Sequence, residues 1–183
     1  MIFSKPSWYC ITKVKDHKVN KERILSQISK SDYEYPNTDI TDYYSFISNT
    51  DYTVRQNTWF QYALSERDQL AYSKFLYDKF QKKDAWITFA WFNQYHKNSG
   101  SEHAYHNHYC DEQPNDLTNI YYVQLEDKRL RTILKDPLTG KEIIPRVKEG
   151  QILTFDAKIE HRSPRNYTNT RKTVISFNTK FLR

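Results

Sequence analysis

The chain has 183 residues, a formal net charge of +6 and a hydrophobic fraction of 38%. This length suits one domain, 1–183, with a core of its own, and the lack of any apolar run of about 18 residues excludes a membrane-spanning helix. Two cysteines cannot form a disulfide framework, so a reducing cytoplasm is expected, which would be the host cytoplasm for a viral protein. Lys and Arg are scattered among acids, so the charge alone does not indicate nucleic-acid binding.

Two elements are predicted near the start of the chain. Residues 7–14, SWYCITKV, combine aromatic and β-branched side chains, which is typical of a strand. Asn20 then precedes the segment 21–28, whose Ile and Leu residues recur at helical spacing. A helix that begins at Asn20 is therefore expected after the first strand.

A loop and a second helix are predicted to follow. Residues 30–58 are polar and rich in Tyr without periodicity, and we interpret them as loop. The segment 65–80 is a stronger helix candidate, because Ser65 and Asp68 match a capping start. An apolar stripe runs along this segment, formed by Tyr72, Phe75, Leu76 and Phe80.

From residue 85 the sequence changes to short, strand-like runs separated by turn residues. The predicted strands are 85–95, 117–125, 129–134, 141–147, 150–156, 158–162 and 171–181. Many short strands at this spacing favour a sandwich or barrel over a parallel α/β sheet. The fold class is therefore predicted to be mainly β (α+β), with a barrel in 85–183 and one or two helices from 1–84 packed outside it.

Three histidines lie close together in the stretch EHAYHNHYCDE, 102–112. His106 and His108 are two residues apart, a spacing that places both side chains on one face of a strand. His103 would face away unless the chain turns. Two imidazoles that point into a barrel can hold a first-row divalent metal, and His161 from a distant strand is the candidate for a third ligand. The alternative is that His106 and His108 are exposed loop residues.

The last predicted strand carries a cation that could bind an anion. Alternation places Arg171 and Thr173 on one face and Lys172 on the other. An inward Arg in a barrel is costly unless an anion pairs with it, and a guanidinium fork suits a carboxylate. Arg171 is therefore a candidate anion clamp, and the alternative is an exposed residue of an edge strand.

The order of these motifs resembles that of a known family. The segment 91–108, WFNQYHKNSGSEHAYHNH, resembles the W-x-N-x-Y opening and H-x-H motif of small phage and bacterial oxygenases that depend on 2-oxoglutarate and Fe(II). Further matches lie in 117–123, 145–166 and 171–178. The resemblance covers 85–181 and implies a double-stranded β-helix, which is a jelly-roll barrel.

This resemblance implies an Fe(II) centre with three protein ligands. His106 and His161 correspond to the two histidine ligands of the family. His108 stands where most of the superfamily has Asp or Glu, and it is implied as the third ligand. Asp111 or Glu112 is the alternative source of that ligand.

The resemblance also implies the cosubstrate 2-oxoglutarate and O2. The far carboxylate of the cosubstrate would pair with Arg171, assisted by the Thr173 hydroxyl, and Asn93 and Tyr95 resemble cosubstrate contacts of the alkylation-repair branch. The implied binding residues are thus Arg171, Thr173, Asn93, Tyr95 and Tyr122, with Tyr121 as an alternative to Tyr122.

The implied reaction is a hydroxylation that releases succinate and CO2. A protein or peptide side chain such as Pro is the expected substrate, with nucleic acid or a free metabolite as alternatives. Two other classes of function stay open at this point. One is a cupin-like metal-binding enzyme that does not use 2-oxoglutarate, and the other is a non-catalytic β-barrel that binds a partner.

Overall fold

The structure is a computed structural model that describes residues 8–30, 40–41, 63–82, 84–100, 102–112 and 114–182. The predicted loop 30–58 lies outside these residues, apart from Lys30 and Ile40–Thr41. The elements given below are those of the described residues.

The described residues include two α-helices and ten β-strands. The helices are α1 (His17–Lys30) and α2 (Glu66–Phe80), and a short 3-10 helix covers Lys128–Leu130. The strands are β1 (Tyr9–Lys13), β2 (Ile40–Thr41), β3 (Ala85–Tyr95), β4 (His103–His106), β5 (Leu117–Leu125), β6 (Ile133–Lys135), β7 (Glu142–Ile143), β8 (Gln151–Asp156), β9 (His161–Ser163) and β10 (Lys172–Phe181).

The strands form two antiparallel sheets. The six-stranded sheet has the order β1-β8-β5-β10-β3-β2, and the four-stranded sheet has the order β4-β9-β6-β7. Between β3 and β10 the chain passes back and forth between the sheets, which is the path of a jelly roll. The predicted mainly β fold is confirmed, and β1 extends the larger sheet by pairing with β8.

Two apolar cores lie on opposite faces of the six-stranded sheet. Alternate residues of β5 divide between them. Tyr121 and Val123 pack in the core that includes residues of α1 and α2, whereas Ile120 and Tyr122 pack in the core between the sheets. The helices therefore lie outside the barrel, as the sequence predicts.

Several predicted strands are shorter in the structure. The segment 129–134 begins in the 3-10 helix and enters β6 only at Ile133. The segment 141–147 contains only the two residues of β7. Pro145 follows soon after, and a proline cannot donate to a strand ladder, which accounts for the early end.

Both helices begin close to Asp68. Ser65 caps α2 by accepting a hydrogen bond from the Asp68 N–H, which confirms the predicted capping start. Helix α1 begins at His17, so the expected start at Asn20 is wrong. Asn20 lies within the helix, where its amide donates to Asp68 Oδ2 at 3.1 Å and its side chain is buried.

Among the described residues, no helix combines the length and the apolar character that crossing a bilayer requires. The cytoplasmic location and the single domain stay predictions.

The Asp68 carboxylate joins α2 to the junction between β1 and α1. It accepts hydrogen bonds from the backbone N–H of Lys15 at 2.7 Å and of Asp16 at 3.1 Å, in addition to the Asn20 amide. Asp68 is only 3% exposed. Its removal would therefore leave several partly buried donors without an acceptor.

Replacing Asp68 with Ala is expected to lower the free energy of unfolding by about 3 kcal/mol, because donors that lose a buried charged acceptor carry a large desolvation cost. Asp68→Asn keeps one acceptor oxygen and is expected to cost less. Urea denaturation of both variants and the wild type measures the effect. Equal stability of Asp68→Ala and the wild type would contradict this role.

Candidate metal centre

The three histidines expected to bind a metal lie together in the structure. One ligand atom from each of His106, His108 and His161 lies within 4.8 Å of the other two. The ring centroids of His106 and His161 are 4.4 Å apart, and that of His108 lies 5.0 Å and 5.1 Å from them. Ring nitrogens within this range can converge on one divalent cation.

Pairing between β4 and β9 brings two of these histidines together. His106, the last residue of β4, lies opposite His161, the first residue of β9. His108 follows the end of β4, so the expectation that His106 and His108 share one strand face is wrong. The His108 ring still reaches the centre, where it packs against Trp91 with the ring centroids 5.2 Å apart.

The tautomers of two of the histidines suit metal binding. Nδ1 of His106 lies 2.8 Å from the Ala104 carbonyl oxygen, and Nδ1 of His161 lies 3.0 Å from the Ile159 carbonyl oxygen. A carbonyl oxygen can only accept, so each Nδ1 carries the hydrogen. The neutral ring then presents Nε2 with a lone pair, which is the form that binds a metal.

Burial keeps two of the rings uncharged. It is the largest cause that lowers the pKa of His108 to about 3, and the neighbouring His106 and His103 lower it further. Burial, together with His106 and His108, also holds the pKa of His161 well below its usual value. Neutral imidazoles are metal ligands, so the residues present fit a divalent metal.

His103 also lines the cavity, and the expectation that it faces away is wrong. The ladder pairs His103 with Ser163 and His106 with His161, and it is irregular between these pairs because β4 contributes one residue more than β9. A β-bulge of this kind turns both β4 histidines to the same side. His103 Nδ1 hydrogen-bonds the Tyr95 hydroxyl at 2.9 Å.

The acidic alternatives for the third ligand do not reach the centre. Asp111 and Glu112 are exposed. Within the described ranges, the group of potential ligands at this point consists of the three histidines. His108 is therefore the third potential ligand that the structure supplies.

A cavity of about 370 Å³ contains the three histidines. Its size falls within the range of small-molecule sites. Alternate residues of two paired strands line one wall, namely Trp91, Asn93 and Tyr95 of β3 and Lys172, Val174 and Ser176 of β10. Asn93 and Tyr95 thus lie on the inward face that the sequence predicts for them.

The face predicted for the last strand is wrong. Arg171 is exposed and precedes β10. Thr173 is buried outside the cavity, where its hydroxyl donates to Gln124 Oε1 at 2.7 Å and accepts from Gln94 Nε2 at 3.0 Å. The alternation is as expected, but both faces of this central strand are buried, so hydropathy could not tell which face points inward.

Lys172 is the cation that β10 places in the cavity wall, and sequence reasoning missed it. It pairs in register with Tyr95, and it is only 1% exposed. Its Nζ donates to Ser163 Oγ at 2.8 Å and lies 4.9 Å from the centroid of the Tyr95 ring. The N-x-Y pattern of β3 marks the same face, but only the strand register connects it with Lys172.

The choice between Tyr121 and Tyr122 is decided by the two faces of β5. The Tyr122 hydroxyl donates to Thr132 Oγ1 at 2.7 Å, and Thr132 lines the cavity. Tyr121 points to the opposite face, where its hydroxyl hydrogen-bonds His17 Nδ1 at 2.8 Å. Tyr122 is therefore the tyrosine of this pair that is linked to the cavity.

This chain is similar to known proteins in its three-dimensional structure. No family model matches the sequence, and no curated protein matches it. A viral collagen prolyl hydroxylase from Paramecium bursaria Chlorella virus-1, in complex with 2OG, is similar with a TM-score of 0.58 at 12% identity over 96% of this chain and 97% of that chain.

Two further solved structures are similar over most of their length. AviO1 from Streptomyces viridochromogenes Tue57 has a TM-score of 0.64 at 10% identity, over 94% of this chain and 89% of that chain. A prolyl hydroxylase from Trichoplax adhaerens, in complex with a peptide of hypoxia inducible factor, has a TM-score of 0.64 at 11% identity. The match covers 96% of this chain and 84% of that chain. At these identities the likeness establishes the fold, and the expected double-stranded β-helix is confirmed.

Replacing His106 or His161 with Ala is expected to weaken Fe(II) binding by more than about 100-fold. Even the loss of an outer-shell hydrogen bond costs about 10- to 100-fold in metal affinity, and each of these changes would remove a candidate ligand. Anaerobic titration with Fe(II) measures the effect. His103→Ala is the matched control and should retain the metal; if it lost the metal while His106→Ala kept it, the ligand assignment would be wrong.

Proposed function

We propose that this chain is an Fe(II)- and 2-oxoglutarate-dependent oxygenase. The observation that carries the proposal is one cavity in which three imidazoles converge and a buried lysine forms part of the wall. The shared fold with the prolyl hydroxylases supports it. Function does not follow from fold alone, so the cavity residues carry the argument.

His106, His108 and His161 would hold Fe(II) through one ring nitrogen each. The bound metal, with 2-oxoglutarate and O2, would supply the oxidative chemistry. The chain itself fixes the ligand atoms. Backbone carbonyls orient the rings of His106 and His161 through Nδ1, and burial keeps His108 and His161 unprotonated.

Lys172, rather than Arg171, would bind the far carboxylate of 2-oxoglutarate. A buried amino group that carries charge is costly unless hydrogen bonds, aromatic faces or an anion compensate it. Ser163 and the Tyr95 ring provide part of this compensation. A carboxylate bound in the cavity would add an ion pair to these contacts, since Lys172 forms part of the wall.

Asn93, Tyr95 and Thr132 would make the other contacts to the cosubstrate, because all three line the cavity. Tyr122 would act through Thr132. Its hydroxyl donates to Thr132 Oγ1, which leaves the Thr132 hydroxyl hydrogen to be donated to an acceptor in the cavity. Tyr122 is thus proposed to orient a donor rather than to touch the cosubstrate.

The proposed substrate is a protein or peptide side chain, with Pro as the first choice, and the proposed products include succinate and CO2. Support comes from the neighbours, which include a collagen prolyl hydroxylase and a prolyl hydroxylase with a bound peptide. At these low identities the neighbours carry this part of the proposal only as an analogy.

A cupin-like metal enzyme that does not use 2-oxoglutarate is the second candidate. The observation that favours it is the ligand set, because three imidazoles converge where the superfamily usually has two imidazoles and a carboxylate. The buried Lys172 in the cavity wall favours the oxygenase. Binding of 2-oxoglutarate separates the two candidates.

Anaerobic titration of the Fe(II)-loaded protein with 2-oxoglutarate tests the oxygenase proposal. We expect a weak visible charge-transfer band and, after admission of O2, formation of succinate. A screen of peptides, nucleotides and amino acids for stimulated succinate release then identifies the substrate class. Bound Fe(II) with neither band nor succinate would favour the cupin-like alternative.

Titration with 2-oxoglutarate of variants of Lys172 and Arg171 tests which of these two adjacent residues binds the far carboxylate. Lys172→Met keeps an unbranched side chain, shorter by one atom, but removes the charge, and it is expected to weaken 2-oxoglutarate binding by about 2–5 kcal/mol, or roughly thirtyfold to several thousandfold. Fe(II) affinity should change far less. Arg171→Ala is the matched control, and a loss of 2-oxoglutarate affinity in that variant but not in Lys172→Met would return the clamp to Arg171.

His108→Asp tests the unusual third position. The change restores two histidines and a carboxylate, but Asp is shorter, so the metal must move or water must fill the gap. We expect His108→Asp to retain iron and to give an altered succinate yield. His108→Ala should bind iron more weakly than either His108→Asp or the wild type. Iron stoichiometry and succinate are measured side by side for the three proteins. A His108→Ala variant that matches the wild type in both would exclude His108 as a ligand.

A further inference from the structure

The third candidate ligand is held differently from the other two. His106 and His161 are oriented by hydrogen bonds from their own rings to backbone carbonyls. His108 is held through its main chain, because its N–H donates to the Ala157 carbonyl at 3.0 Å and its C=O accepts from Asn115 Nδ2 at 2.9 Å. The position of the His108 ring therefore depends on what holds Asn115.

Asn115 is held by a residue of the cavity-forming strand β3. The Thr88 hydroxyl donates to Asn115 Oδ1 at 2.6 Å. The carbonyl of His108 can only accept, so Nδ2 must face it, and the Thr88 hydroxyl then meets Oδ1 as a donor. Both ends of the Asn115 amide are thus satisfied in one orientation, which links β3 to the loop that carries His108.

The backbone around Asn115 is anchored to β10 and to the turn between β8 and β9. The Asp116 N–H donates to Thr179 of β10 at 2.9 Å, and the Asp116 C=O accepts from the Ala157 N–H at 3.1 Å. Ala157 therefore contacts the loop at His108 and at Asp116. Asn115 lies between fixed points, so its side chain can act as a short, rigid support for His108.

We propose that Asn115, oriented by Thr88, is a positioning residue that sets the His108 imidazole at the metal centre. The inference rests on the proposed function, because it takes His108 as a ligand. Asn115 touches neither metal nor cosubstrate in this role, and it acts only through the main chain of His108. Its loss should therefore change the coordination of the metal more than the stability of the fold.

Cobalt(II) serves as the probe, because its visible absorption reports ligand number and geometry without turnover. Asn115→Ala is expected to bind Co(II) about 10-fold more weakly, at the lower end of the about 10- to 100-fold range for outer-shell partners of metal ligands. The visible spectrum of the Co(II) form should change as well. The thermal midpoint of the metal-free protein is measured in parallel.

Variants of Thr88 separate positioning from packing. Thr88→Val keeps the shape but removes the donor, and it should shift the Co(II) spectrum in the same direction as Asn115→Ala. Thr88→Ser keeps the hydroxyl and should restore the wild-type spectrum. These variants keep the inference testable even if Asn115→Ala does not fold.

Two controls complete the test. One is a similar hydrogen-bonded pair outside the candidate site, and the other is a protein that already lacks the His108 imidazole. Thr118 and Asn178 form a similar side-chain hydrogen bond at 3.4 Å between β5 and β10, and Asn178→Ala should leave Co(II) affinity unchanged. In a His108→Ala background, Asn115→Ala should have no further effect on Co(II) affinity. An equal loss with and without His108 would show that Asn115 acts on the fold and not on this ligand.

The outcomes distinguish this inference from the function on which it rests. If the wild type binds neither Co(II) nor Fe(II), the proposed function fails. If the wild type binds Co(II) and the Asn115→Ala and Thr88→Val proteins bind it equally well with the same spectrum, only the positioning role is overturned. Weaker Co(II) binding with an altered spectrum and an unchanged thermal midpoint supports it.

Discussion

The candidate metal centre depends on the antiparallel register between β4 and β9. This register sets His106 opposite His161, so two rings from distant parts of the sequence meet. A slip of one residue would send one of the rings to the outer face, because side chains alternate along a strand. The bulge between His103 and His106 has a second effect, since it turns His103 into the cavity toward Tyr95. The short pairing between β4 and β9 thus brings His103, His106 and His161 to the cavity.

Burial connects this geometry with the chemistry that the centre can perform. The Phe155 ring packs against His161 with the centroids 4.8 Å apart, so the core between the sheets directly contacts a candidate ligand. The same burial lowers the pKa of His161 and of His108, and a neutral imidazole is the form that binds a metal. An imidazole in place of a carboxylate also leaves a bound metal with one more unit of positive charge. The metal should therefore attract the proposed anionic cosubstrate more strongly.

The six-stranded sheet holds the cavity wall because both of its faces are packed. On β10, Ile175 and Phe177 pack in the core that includes residues of the helices, while Val174 packs between the sheets. The strand is therefore fixed in rotation about its own axis, and Lys172 is directed into the cavity beside Val174. The loop with His108 is anchored to the same sheet through Asp116 and Thr179. The sheet that packs against the helices on its outer face therefore also positions the candidate ligand His108 on the side of the cavity.

The sequence by itself determined the mainly β fold, the helix 65–80 with its cap at Ser65, and the three histidines that meet in the structure. Local signals carry these features, because turn residues, alternating hydrophobicity and capping patterns each act over a few residues. His161 was already the candidate third ligand from the sequence, and the motif resemblance supported it, although no local pattern connects it with His106. Only the tertiary structure decided that Lys172 faces the cavity, that His103 joins its lining, and that His108 lies beyond the strand. Alternation shows which residues share a face of a strand, but which face points inward, and where a bulge interrupts the pairing, depends on partner strands far away in the sequence.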